Sequence, residues 1–569
     1  MLKSILISFL ISFTFSASAQ YYGWSKSIGG SDADTCSALA IDKQANLYAI
    51  GSFSGSGDFS NDTIKDNITS NGNDDIFIQK RNKKGKYLWT KKIGGKGHDR
   101  PNSMIYYNNA LYISGSFEDT LDFGIQKIIP KGKRSIFLAK LDTAGKCIWV
   151  KTLGDTLYSR ARSLAINKDG IYLSGEFSGV IEQIKYQYTM FVQKTDFEGN
   201  VNWTKMMVTK RKDINANNNI RSVVSNSLAL DSLGFIYNVG NLLKDNVDFN
   251  PSAINDSILS TNGLSDIFIQ KLNSNGEFVW VKKIGGTSND EANTIITKGN
   301  DFYIAGYFSS TVNFDPNSTL TSNLNTLTEK GSKDIFIGKY NLNGKFVWIK
   351  QIGGAKEENA KQLEIDKYNN IYLVGSYTTN SNLSTDFLGK PLKKSALSDV
   401  FLLKFDVQGK GISAEQISGS LADYGSVIKA DTMKNVYVGG SYSGNMTITG
   451  AIKPFVSNGS SDIFIYKSLL TKGSDSILND NSNSSLIENF LNFKIYPNPV
   501  QNTLHLSFDY LPSNAHLIIT NVSGQSILKK ELVQGQMEDI ITLDHLTSGI
   551  YFVKLDSEYS NYTYKINKL

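Results

Sequence analysis

Apolar residues in this chain come in short runs broken by Gly, Asn, Asp and Ser. The runs favour Ile, Val, Phe, Tyr and Trp, and none keeps the spacing of an amphipathic helix. The pattern therefore predicts many short strands joined by polar turns. One unit, from residue 99 onward, contains SMIYY, ALYISGSF, SIFLAKLD and CIWVKTL, four strand-like runs in sequence. DTAGK (142–146) joins the last two, and NSNGE (273–277) and NLNGK (341–345) recur at the same place, as tight hairpins require.

The unit repeats. FVWVKKIGG (278–286) reappears as YLWTKKIGG (87–95) and FVWIKQIGG (346–354). All the tryptophans fall at this one position: Trp24, Trp89, Trp149, Trp203, Trp280 and Trp348. In a further copy, GKGISAEQISG (409–419), Ser413 stands where the Trp is expected. A second signature of the DIFIQK type centres on Phe77, Phe137, Phe191, Phe268, Phe336, Phe401 and Phe464, roughly every 64 residues. A third, of the NLYAIGSF type, also occurs seven times, from 46–53 to 435–442.

Four antiparallel strands repeated seven times predict an all-β, seven-bladed β-propeller over residues 20–468. The phasing predicts how it closes. YYGWSKSIGG (21–30) precedes the first unit, and the last unit lacks a Trp strand after DIFIYK, so the N-terminal strand should complete the seventh blade. Stacked blades bury both faces of each sheet, which suits runs such as IFI and VWV. The Trp series is predicted as structural core, and the Gly pair after it as a sharp exit that a Cβ would resist.

The W-x-K-x-IGG, GNxYxxGSF and DIF-x-x-K signatures resemble the SBBP repeat, a bacterial seven-bladed propeller repeat. The likeness covers about 21–468, with departures at MMVTK (206–210), TMF (189–191) and Ser413. It implies a fold and an extracellular setting, and no fixed activity.

Residues 469–492 are polar and low in complexity, and read as a linker. Residues 493–569 return to short alternating runs and predict a small Ig-like β-sandwich. This segment resembles the type A sorting domain of the type IX secretion system. The likeness rests on Tyr496-Pro497-Asn498-Pro499, on Asn521-Val522-Ser523-Gly524-Gln525, and on the stretch 546–554 with Gly549 and Tyr551. It implies a Bacteroidota-type bacterium, passage of the outer membrane by the type IX machinery as partner, and a secreted or cell-surface location. The other end agrees: residues 1–19 have one Lys, an apolar stretch from Ile5 to Phe15 and an Ala17-Ser18-Ala19 site, the form of a signal peptide. No later stretch is apolar for long enough to predict a transmembrane segment.

Composition adds exclusions. A net charge of +6, with Lys and Arg together spread over every repeat and no long basic run, predicts a mixed surface and no nucleic-acid partner. Two cysteines, Cys36 and Cys147, at different repeat positions, predict buried thiols without a bridge. Of four histidines only His98 lies in the propeller, which argues against histidine-based metal or triad chemistry. Metalloprotease, nucleophile-elbow, phosphate-loop and EF-hand motifs are missing, so no catalytic, cofactor-binding or metal-ligating residue is assigned. The cofactor is left open, with calcium a candidate that no specific motif indicates.

An acid does recur after the Gly pair, at Asp34, Asp99, Asp290, Glu358 and Asp423. These residues are expected near the mouth of the central channel. They are read either as turn caps accepting backbone N–H groups or as an acidic ring holding a cation or a sugar. DFNPS (248–252) and NFDPN (313–317) read as Asx-type turns. Long links, such as 309–333 and the insert 209–219, are expected on one face of the ring. Asp-Thr/Ser-apolar triplets at 62–64, 119–121, 155–157, 256–258 and 475–477 resemble the O-glycosylation motif of this bacterial group. The functional expectation is a secreted or surface propeller that binds an extracellular glycan, matrix component or protein. The alternatives are a structural component of the cell surface and an enzyme on extracellular polysaccharide or peptide.

Overall fold

The computed structural model describes residues 21–61, 65–154, 158–181, 184–209, 222–243, 246–252, 255–317, 325–378, 392, 397–448, 451, 453–469, 493–508, 515–532, 538–557 and 560–569. The signal-peptide segment, nearly all of 469–492, most of 209–219 and the triplets at 62–64, 155–157 and 475–477 lie outside the described residues. The chain forms two compact units, 1–474 and 475–569.

The first unit is seven four-stranded antiparallel sheets. Blade 1 is Thr35–Ile41, Leu47–Phe53, Asp75–Arg81 and Tyr87–Ile93. Blade 2 is Arg100–Tyr107, Ala110–Phe117, Ser135–Asp142 and Cys147–Leu153. Blade 3 is Tyr158–Asn167, Gly170–Ile181, Ile184–Thr195 and Val201–Thr209. Blade 4 is Val223–Leu230, Ile236–Leu242, Asp266–Leu272 and Phe278–Ile284. Blade 5 is Glu291–Lys298, Asp301–Phe308, Asp334–Asn341 and Phe346–Ile352. Blade 6 is Glu358–Ile365, Ile371–Tyr377, Asp399–Phe405 and Gly411–Gly419. Blade 7 is Tyr424–Ala430, Asn435–Tyr442 and Asp462–Leu469, completed by Tyr21–Gly30 from the N-terminus. Each first strand lies beside the first strand of the next blade, and that of blade 7 lies beside that of blade 1, so the ring is closed. The first strands are therefore the innermost.

The repeated signatures are the contacts that join blade to blade. Within blade 1, Tyr48 pairs with Lys80 across the sheet, and Lys80 with Trp89. In every blade the Lys ammonium sits 4.8–5.8 Å from the centre of its Tyr ring, at Tyr48, Tyr112, Tyr172, Tyr237, Tyr303, Tyr372 and Tyr437. The Trp ring then leans over the hairpin between the third and fourth strands of the next blade. A Cβ at Gly145 of blade 2 would lie 2.9 Å from the Trp89 ring, and one at Gly85 of blade 1 would lie 2.7 Å from Trp24. These glycines also have φ of +80°, so both the backbone and the neighbour require Gly. Trp24 Nε1 and Trp149 Nε1 donate to the turn carbonyls of Lys83 and Phe197 at 3.2 and 3.1 Å. The rings are half-buried, less than a core position would give, because only one face meets the neighbour. Ser413 also acquires a reason. Blade 7 has no hairpin between its third and fourth strands, since those strands come from opposite ends of the propeller, so blade 6 has nothing for a Trp to cover.

The links between second and third strands brace the ring. Three form hairpins that extend the preceding blade: 56–58 with 67–69 joins Tyr21–Gly30, 247–248 with 258–259 joins Val201–Thr209, and 445–448 with 455–456 joins Gly411–Gly419. Phe59 and Phe249, after the first strand of two of these hairpins, and Phe314, after the first strand of the separate hairpin of 312–313 with 326–327, are sealed against Phe77, Phe268 and Phe336, with ring centres 4.9–5.2 Å apart. Asx turns follow. Asn250 N donates to Asp248 Oδ1 at 3.0 Å, and Asn317 N to Asp315 Oδ1 at 3.1 Å. The outer strands carry a β-bulge just before the Trp, as at Leu88 and Ile148, which blunts an otherwise open edge.

The second unit packs a three-stranded sheet (Phe493–Tyr496, Thr503–Phe508, Glu538–Thr542) and a four-stranded one (Ser526–Leu532, Ala515–Asn521, Gly549–Ser557, Ser560–Lys568) around Leu504, Leu517, Ile519, Val553 and Leu555. Asn498 Nδ2 donates to the Lys565 carbonyl at 2.9 Å and Asn498 Oδ1 accepts from Asn567 N, tying the 496–499 turn to the last strand. Gly524, at φ +81°, closes a hairpin whose start, Asn521 Oδ1, accepts from Ser523 and Gln525 N–H groups. Tyr551 Oη donates to the Thr547 carbonyl at 3.0 Å, beside Gly549 at the strand start. Tyr496 stays exposed and stacks on His505, while Pro497 and Pro499 flank Asn498 in the same turn.

Candidate functional site

Every innermost strand runs the same way through the ring, so the starts of these strands meet at one end of the axis. The recurring acids are built into the junctions there. Asp34, Asp99, Asp290, Glu358 and Asp423 have no exposed surface. Each follows a chain reversal that brings it back to the Gly pair. Gly30, Gly95 and Gly286 donate their N–H groups to Asp34, Asp99 and Asp290 at 2.7–2.8 Å. The backbone N–H of each acid donates in turn to the preceding blade, as Asp34 N does to the Ser461 carbonyl at 2.9 Å.

A second buried carboxyl faces each of them: Asp462, Asp75, Asp266, Asp334 and Asp399, the Asp of the DIF signature. A methyl group placed on Gly29 would lie 2.7 Å from an oxygen of both Asp34 and Asp462. Burial first, and the facing carboxyl with it, pushes Asp34 and Asp99 up to about 7, Asp290 to about 6, and Glu358 and Asp423 to about 8. Among the described residues no group of three or more His, Cys, Asp or Glu is arranged to hold a metal ion. Cys36 and Cys147 are buried free thiols, pushed up by burial to about 12 and about 11.

Two junctions depart from this rule. Between blades 3 and 4, Thr189 and Val223 hold the two positions. Between blades 2 and 3 the pair is Ser135 and Ser159, both fully buried. The residue after each junction position lies at the start of the innermost strand and varies around the ring: Thr35, Arg100, Arg160, Val224, Glu291, Asn359 and Tyr424. This variation stands against a background in which neighbouring positions repeat.

The arginines are the strongest departure, and pooling them with lysine hides it. Basic residues as a group do spread over the ring. The arginines are only Arg81, Arg100, Arg134, Arg160, Arg162, Arg211 and Arg221, all before residue 222. Arg81 is a buried structural residue bonded to the Ser60 and Gly85 carbonyls, and Arg211 and Arg221 lie outside the described residues. The other four start or adjoin the innermost strands of blades 2 and 3. Arg100 Nε donates to Asp74 at 2.6 Å, and His98 shares that carboxylate. Burial works against the charge on Asp74, yet these two bonds outweigh it and hold the carboxyl below its ordinary range. Arg134 pairs with Glu118, donates to Tyr158 Oη and covers the Tyr158 ring at 4.8 Å. Arg162, the bulge residue of its strand, forks onto Glu176 at 2.7 and 2.5 Å. Of the two glycosylation-like triplets in the described residues, Thr120 and Ser257 are half-buried beside hairpin strands.

Residues 494–568 match the family described as the secretion system C-terminal sorting domain. The C-terminal unit is a type IX sorting domain. A protein carrying it is secreted or displayed at the cell surface in Bacteroidetes, and the sorting domain is its contact with the secretion machinery. No helix among the described residues is long and apolar enough to cross a membrane. For the propeller, an uncharacterised WD repeat-containing protein of Acanthamoeba polyphaga mimivirus is 22% identical, over 63% of this chain and 31% of the viral protein. The chain thus spans about a third of that relative's length. Among solved structures, the WD40 β-propeller domain of Doa1 aligns at 9% identity and TM-score 0.39, covering 80% of this chain and 98% of that domain. The phage phi92 endosialidase aligns at 10% identity and TM-score 0.36, covering 96% and 87%.

Proposed function

We propose that this exported propeller, of the SBBP-repeat type, is a binding protein that presents the strand-start end of its ring to an extracellular glycan, matrix component or protein. The observation that carries the reading is the contrast at that end. Neighbouring positions repeat from blade to blade, yet the residue just after the junction position is Thr, Arg, Arg, Val, Glu, Asn or Tyr. A rigid frame with side chains varied at one end suits recognition. The buried carboxyl pairs serve this reading as junction caps and do not meet the ligand. The test is binding of the exported chain to arrays of polysaccharides and extracellular proteins, with and without calcium. A saturable hit weakened by Tyr424→Ala is expected. A hit insensitive to every strand-start substitution would place binding elsewhere, and a blank array would favour a structural role at the cell surface.

A further inference from the structure

Among the described residues, the end of the axis at blades 2 and 3 carries more cationic side chain than its partners neutralise. Three guanidiniums converge there, those of Arg134, Arg160 and Arg162. Among the described residues two carboxylates answer them: Glu118 takes Arg134 and Glu176 takes Arg162. Arg160 has no hydrogen bond or ion pair among the described residues. It is partly accessible yet hemmed in, and burial, Arg162 and Arg134 together lower its guanidinium to about 10 against the pull of Glu176 and Tyr158. The junction beneath it has also lost its acids. Where five junctions hold facing carboxyls, this one holds Ser135 and Ser159, and the Ser159 Oγ beside Arg160 is buried without a hydrogen-bond partner. A protein does not gain stability by crowding a third guanidinium against two others and removing the neighbouring carboxyls. The arrangement is one that a bound anion would complete.

We infer that Arg160, flanked by Arg134 and Arg162, is the binding site for an oxyanion on an acidic polysaccharide, either the carboxylate of a uronic acid or a sulfate ester. The inference rests on the binding role proposed above and narrows it. Arginine suits such groups because its planar fork meets two oxygens at once, and lysine, which this chain uses almost everywhere else, does not. A sugar polymer fits better than an acidic peptide. One uncompensated guanidinium matches one charge per binding register. Of the remaining strand starts, Val224 is buried and Glu291 is acidic on the far side of the ring, while Asn359, Thr35 and the exposed Tyr424 ring offer an amide, a hydroxyl and an apolar face to a sugar.

The experiment titrates the exported full-length chain with four probes: oligogalacturonate, a sulfated galactan oligosaccharide free of carboxylate, a neutral galactan of equal length, and poly-glutamate. The expected result is saturable binding to at least one acidic oligosaccharide, weakening with salt. Arg160→Gln should weaken it at least about tenfold, and Arg160→Lys should recover only part of the loss. Lys84→Gln, in a hairpin at the opposite end, should change nothing. Arg160 bonds to no other described residue, so Arg160→Gln should melt no lower than the parent, and this separates lost binding from lost folding. The carboxylate and sulfate arms tell the two sources apart. Equal binding by Arg160→Gln, or stronger Arg160-dependent binding to poly-glutamate, would overturn the inference. Binding of the neutral galactan alone would overturn it and leave the broader binding role standing. Silence with all four probes and on the arrays would remove both.

Discussion

Replacing Asp34 by Asn tests whether the junction carboxyls are held as acids. Asp34 accepts N–H groups from Gly30 at 2.8 Å and Ser54 at 3.3 Å, and it faces Asp462 in the junction that closes the ring. Its carboxyl keeps its proton up to about 7, against an ordinary value of 3.8. The folded state therefore binds a proton that the unfolded chain has released. The stability this group contributes is fully present below about pH 4 and is lost as the pH rises to about 7, beyond which the penalty is constant. Three powers of ten in proton affinity correspond to about 4 kcal/mol at pH 8, a ceiling because the facing Asp462 relaxes with it. At pH 5 the same penalty is only about 1.5 kcal/mol. Asn carries no charge at either pH but offers one acceptor oxygen where Asp offers two, a loss of about 1 kcal/mol. Its amide can also donate to Asp462 Oδ1, which lacks a partner among the described residues. Asp34→Asn should thus be close to neutral at pH 5 and stabilising by about 2–3 kcal/mol at pH 8, measured by urea unfolding at the two pH values. A variant destabilised equally at both would show that Asp34 acts as a charged cap, and the reasoning would fail.

Two further outcomes follow from the joints between blades. Trp280→Ala strips the cover from the Gly344 hairpin and should cost about 3 kcal/mol by denaturant unfolding, the low end for a large aromatic because the ring is half-buried; a cost below 1 kcal/mol would deny the clamp. Deleting residues 21–30 removes the fourth strand of blade 7 and leaves Asp462–Leu469 as an open edge. The shortened propeller should lose its cooperative melting transition and become protease-sensitive, and an unchanged transition would deny that the N-terminal strand closes the ring.

The ring was legible because its joints are written in large, rare side chains at fixed spacing. Trp, the Phe of DIF and the Gly pair each do one job per blade, so their recurrence reported blade count, strand order and closure. Ser413 was legible as an absence but not as a consequence, since the missing hairpin of blade 7 appears only when two distant strands are seen to pair. The segments that form the bracing hairpins gave no strand signal and were read only as links. Their strands are two to four residues long, and the Phe that follows the first strand in two of them, at 59 and 249, is a single residue in changing company. The acids were found, but their facing partners sit two strands away along the chain, or for Asp34 at the other end of the propeller, so the pairing could not be read. The arginine sector was present in the sequence and was lost by counting Lys and Arg as one class.

The closure of the seventh blade has a consequence for delivery. Tyr21 pairs with Leu469, so the first strand to emerge stays without its partner until the last strand of the propeller has been made. The sorting domain is encoded only after that strand. A chain cut short anywhere in the ring therefore has neither a closed propeller nor the sorting domain that the secretion machinery reads, and the two deficits arrive together. Completeness of the ring and permission to leave the cell are thereby read from the same end of the message, an inspection step that requires no inspector.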